Sequence, residues 1–64
     1  MKRFIITWYD ENMFQIFRYP YYDYALGIIK LSKVLDVYRR LNIISLSEQE
    51  QLSNCKCVMI EEDN

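Results

Sequence analysis

The chain has 64 residues, 52% hydrophobic and 16% aromatic, with 8 Lys+Arg against 9 Asp+Glu and no histidine. That is room for one domain, residues 1–64, near the lower size limit, where folding buries only about 60% of the unfolded chain's surface, yet it is too apolar for a disordered segment. A net charge of −1 excludes both the basic face of a general phosphate binder and the strongly acidic face of a DNA mimic.

Residues 2–9 alternate, with Lys2, Phe4, Ile6 and Trp8 on one face and Arg3, Ile5, Thr7 and Tyr9 on the other. Period two with aromatic and β-branched enrichment predicts a strand. Asp10-Glu11-Asn12 reads as a three-residue turn with Asn12 in the left-handed conformation. Met13 to Tyr19 follows as the second strand, completing a hairpin over residues 2–19. A three-residue loop sets Trp8 opposite Phe14, Ile6 opposite Ile16 and Phe4 opposite Arg18. Ile5, Tyr9, Met13, Phe17 and Tyr19 then fall together on the opposite, outer face.

Pro20 is read as the end of that strand and the first turn of a long helix over residues 20–41, since its fixed φ suits a helix start. Asp23 near the start and Arg39 and Arg40 near the end complement the helix dipole. At about 100° per residue, Tyr24, Ile28, Leu31, Val34, Leu35 and Tyr38 form the stripe that faces the sheet. Gly27 lies within the stripe, where it would let a side chain such as Trp8 approach closely. Tyr22, Leu26, Ile29, Lys33 and Val37 make a second strip on the flank.

Ser47 and Glu50 have the spacing of a capping box, so residues 47–54 are expected to be a short helix or loop. Residues 55–61 read as a third strand, apolar on both faces and so covered on both, followed by an acidic tail at 61–64. Cys55 and Cys57 are read as small apolar side chains, because zinc takes four ligands and the chain supplies two cysteines and no histidine. The expected fold is α+β: a β-β-α-(α)-β domain with a three-stranded antiparallel sheet and one long helix across one face. The third strand is placed beside the first.

No catalytic, metal or cofactor motif is present: there is no His, one Gly, and no base beside either cysteine. The chain is therefore expected to be no enzyme and to need no cofactor. No run reaches the roughly 18 apolar residues of a membrane span, and Phe4–Trp8 is too short for a signal peptide core. The expected compartment is the cytoplasm, that of a host cell if the chain is phage-encoded.

What remains is surplus apolar surface. Ile5, Tyr9, Met13, Phe17 and Tyr19 on the outer sheet face, with Tyr22, Leu26, Ile29, Lys33 and Val37 on the helix flank, are the candidate partner-binding residues. The expected partner is another protein or a second copy in a homodimer. Ile5→Glu or Phe17→Glu is expected to abolish association and leave the monomer folded. In size, richness in Ile, Tyr, Asn and Lys, and lack of catalytic motifs, the chain resembles the short orphan proteins that phages and mobile elements encode. That resemblance implies an anti-defence inhibitor that binds a host protein and occludes it. The alternative is a single-stranded nucleic-acid binder that stacks bases on the aromatic sheet face.

Overall fold

The computed structural model describes residues 1–63 and is a small α+β fold with a three-stranded antiparallel sheet and two helices. Its elements in chain order are β1 (Lys2–Tyr9), β2 (Gln15–Asp23), α1 (Leu31–Arg40), α2 (Leu46–Ser53) and β3 (Cys57–Asp63). The sheet order is β2-β1-β3, with β1 antiparallel to both neighbours. Asn64, the last residue of the expected acidic tail, lies outside the described residues.

The long helix over 20–41 is replaced by three things. β2 runs on through Pro20 to Asp23, residues 24–30 form a loop, and the helix spans only Leu31–Arg40. Tyr19-Pro20-Tyr21-Tyr22 suits a strand because aromatic side chains pack well on a pleated surface. Proline is admissible there because β2 is an edge strand. Gly27 adds a helix-breaking residue downstream, and a Cβ on it would meet nothing within 4 Å. Its expected role as a close-approach site for Trp8 is therefore wrong.

The hairpin register also differs. Trp8 faces Phe17, Ile6 faces Tyr19 and Phe4 faces Tyr21, with an irregularity between Trp8 and Tyr9. From Phe17 to Tyr19 the offset from the expected pairing is three residues, an odd number, so those side chains change face, while Gln15, opposite Tyr9, stays on the outer one. Two causes are visible. The expected register buried Arg18 opposite Phe4, whereas the observed one turns Arg18 out beside Thr7. The turn is also longer, held by the Asp10 carboxylate, whose Oδ1 accepts the N–H groups of Asn12 at 2.8 Å and Phe14 at 2.9 Å. The left-handed residue is Met13, with φ 65°, rather than Asn12.

With that register Phe17, Tyr19 and Tyr21 join Ile6 and Trp8 on the inner face and meet α1. Tyr38 of α1, 1% exposed, is the hub. Its ring lies 6.0 Å from Trp8 and Phe17, 5.3 Å from Tyr19 and 6.4 Å from Tyr21, each edge-on. Edge-to-face pairs of this kind contribute about 0.5–1.5 kcal/mol each beyond area burial. The Tyr38 hydroxyl lies 3.1 Å from the carbonyl oxygens of Tyr19 and Pro20 and donates to them. Val34 and Leu35 of α1, Ile44, and Leu52 of α2 complete one buried cluster with these residues.

α2 is capped by Ser45 and Glu48, two residues before the expected Ser47 and Glu50. The Ser45 hydroxyl accepts the Glu48 N–H at 3.2 Å, and Glu48 accepts the Ser45 N–H at 2.9 Å. The Ser45 backbone N–H holds the Glu48 carboxyl below its ordinary range. The acids expected in a tail belong to β3, where Lys2 pairs with Glu62 at 3.6 Å and Arg3 with Asp63 at 2.7 Å. β3 is an edge strand with Met59 48% and Ile60 40% exposed, rather than a strand covered on both faces.

Burial, then the neighbouring Tyr19 and Tyr21 hydroxyls, push the Tyr38 phenol well above its ordinary range. A group that holds its proton more tightly when folded stabilises the fold below its unfolded pKa of about 10 and loses that contribution as pH rises beyond it. Urea unfolding should therefore show stability falling above pH ~10. Tyr38→Phe should lower stability by about 1 kcal/mol at neutral pH and flatten the alkaline fall. The turn makes a separate prediction: Asp10→Ala, which removes the acceptor of two backbone N–H groups, should cost about 1 kcal/mol in the same assay.

Candidate interaction surface

The ladder sorts the ten candidate partner-binding residues into different places. Ile5 and Tyr9 stay on the outer face, Ile5 between Pro20 and Glu61, and Tyr9 between Gln15 and Cys57. Both are half-buried. Phe17 and Tyr19 are on the inner face, their rings stacked 6.0 Å apart and packed against Tyr38. Met13 is exposed in the turn, well before the strand in which it was expected.

The expected helical strip is dismantled as well. Tyr22 is a β2 residue on the outer face opposite Arg3, and Leu26 and Ile29 lie in the 24–30 loop. Only Lys33 and Val37 are helical, Lys33 exposed and Val37 packed against the core. Ile29 also packs against the core.

Two surfaces result. On the outer face, half-buried Ile5 and Tyr9 of β1 flank the fully buried Thr7, between Arg18, Pro20 and Tyr22 of β2 and Cys57, Met59 and Glu61 of β3. Of residues 42–54, Ile44 and Leu52 pack in the inner cluster, while Gln51 and Asn54 reach the turn end of this face. At its turn end Tyr9, Met13, Ile16, Cys55 and Cys57 line one open cleft. Both cysteines are free. Burial and then Asp10 raise the Cys55 thiol above its ordinary range, and its Sγ donates to the Gln51 carbonyl at 3.8 Å. A protonated thiol is a poor nucleophile and a poor metal ligand. Among the described residues no three His, Cys, Asp or Glu side chains gather as a metal site would require.

The second surface is the loop that leaves β2. Leu26 is 103% and Ile28 96% exposed, with Tyr24 at 71% and Tyr22 at 56% just before them in the chain. Sequence reasoning placed Tyr24 and Ile28 in the helical core stripe and so passed over them as surface residues. The missed signal is Gly27 between two aliphatic residues, a pattern that weakens a helix at the point where the stripe needs it most. Burying a leucine or isoleucine side chain gains about 1.5–3 kcal/mol, so Leu26 and Ile28 each leave a contribution of that size unrealised.

No protein-family model matches the chain, and comparisons with curated proteins and with solved structures find no similar protein. Among the described residues no helix is long and apolar enough to cross a membrane.

The two faces make opposite predictions for charge insertion. Phe17→Glu places a carboxylate against Trp8 and Tyr38 and should destabilise the monomer by about 3 kcal/mol or more, correcting the expectation that it spares the fold. Ile5→Glu, on the uncovered face, should cost less than half as much in thermal or urea unfolding.

Proposed function

We propose that the chain is a protein-interaction module that acts by occlusion, docking on another protein through the loop Tyr24–Ile28 with Tyr22 beside it. The observation that carries this reading is the near-complete exposure of Leu26 and Ile28, well above that of the other exposed aliphatic residues such as Leu41 at 64% and Leu46 at 58%. Exposed apolar clusters of this kind are the usual mark of a contact surface, and aliphatic side chains beside tyrosines resemble the core of one. An inhibitor of a host protein, in the manner of short phage and mobile-element products, is the form of this activity that suits so small a chain. The alternative of base stacking has less support because, of its three aromatics, Phe17 and Tyr19 pack against Tyr38 and Tyr9 alone stays on the outer face.

A photo-crosslinking residue in place of Leu26, in cells making the full chain, should give one discrete protein adduct. The same residue in place of Ser32, exposed on α1, should not give it, and Ile28→Ser should abolish it without altering stability by more than about 0.5 kcal/mol. Equal labelling from positions 26 and 32, or no protein adduct from 26, would overturn the reading.

A further inference from the structure

The two edges of the sheet are not alike. The β2 edge carries Pro20 and Arg18, an irregularity in its ladder with β1, and the Tyr38 hydroxyl on the Pro20 carbonyl. Each of these blunts strand addition. The β3 edge has no proline and no irregularity in its register with β1, and its middle residues Met59 and Ile60 are 48% and 40% exposed.

The direction of its free backbone groups follows from Pro20. A proline fits an edge strand only where its missing N–H would face away from the sheet. Ile5, opposite Pro20, therefore turns its own N–H and C=O toward β3. There it meets Glu61, so Cys57, Met59, Glu61 and Asp63 bond inward to β1. Val58, Ile60 and Glu62 alternate with them and present their N–H and C=O groups to open space.

We infer that this edge pairs with the same edge of a second copy, antiparallel, to make a continuous six-stranded sheet. Only registers that set even-numbered residues opposite one another satisfy the free groups. Charge selects among them. Lys56 precedes the strand while Glu61, Glu62 and Asp63 close it, so antiparallel self-pairing brings opposite charges together at both ends. The register with Met59 on the two-fold axis sets Val58 against Ile60 of the second copy and Lys56 against Glu62 of the second copy. Moving the axis to Ile60 sets Val58 against Glu62, an apolar side chain against a carboxylate. Moving it to Glu61 puts like charges face to face, which is destabilising. The terminal acids do not forbid approach, because Lys2 and Arg3 already partly neutralise Glu62 and Asp63. The edge lies across the sheet from β2, where the 24–28 loop begins, so the two surfaces stand or fall separately.

Cysteine trapping tests both the pairing and its register. Residues facing across the axis in a non-hydrogen-bonded pair have Cα atoms about 4.5 Å apart, within disulfide reach. Met59→Cys in a Cys55→Ser, Cys57→Ser chain should form a covalent dimer on mild oxidation, and Glu61→Cys in the same chain should not. Light scattering on the chain with its native cysteines is the second measurement, independent of the serine changes. It should give twice the monomer mass, and Lys56→Glu should raise the dimer Kd about tenfold, from two symmetric charge pairs. A monomer at every concentration up to the solubility limit would overturn the inference. So would a dimer that Lys56→Glu leaves unchanged, or one trapped at position 61 and not at 59.

Discussion

Tyr38 is the residue on which the rest of the structure depends. A chain of this length has one small core, and its sheet-facing centre is aromatic: Trp8 and Tyr21 buried, Phe17 and Tyr19 half-buried, all around the Tyr38 ring, with Val34, Leu35, Ile44 and Leu52 beside them. The ring supplies apolar contact to both β1 and β2, while its hydroxyl reaches the backbone of the edge strand at Tyr19 and Pro20. One side chain therefore ties α1 to the sheet and sets the face that β2 turns inward. The same choice puts Arg18 and Tyr22 outside and lets β2 continue through Pro20.

Much of the fold is legible in the residues because it rests on local pattern. The alternation from Lys2 to Tyr9 marks β1, and the Leu31–Tyr38 part of the apolar stripe marks α1. What was misread rests on competition between local and distant contacts. Tyr19-Pro20-Tyr21-Tyr22 is compatible with a helix start or an edge strand, and only the pairing with Arg3, Phe4 and Ile5 decides it. The longer hairpin turn is held by the Asp10 carboxylate, whose hydrogen bonds no strand periodicity announces. Arg18 was the available warning, since the shorter turn placed its guanidinium in the core. Ser45 and Ser47 both have a glutamate three residues on, and propensity alone does not separate them.

The candidate surface was legible in kind but not in place. Surplus apolar area follows from composition and size, and Ile5, Tyr9, Met13, Tyr22 and Leu26 keep some exposure in the folded chain. Phe17 and Tyr19 do not belong with them because an odd register offset from Phe17 onward turns these side chains to the inner face. Starting α1 at Leu31 rather than near Pro20 leaves Leu26 and Ile28 in a loop instead of on a helix face. The uncovered surface of the protein is thus the complement of its aromatic core: what Tyr38 gathers inward determines what remains for the loop and the β3 edge.

The most direct measurement of that central relation is the set of through-space NMR contacts of the Phe17 ring in the intact chain. Contacts from Phe17 to the rings of Trp8, Tyr19 and Tyr38 are the predicted result. Contacts from Phe17 to the side chains of Ile5 and Thr7, with none to Tyr38, would place the second strand the other way round and contradict the account.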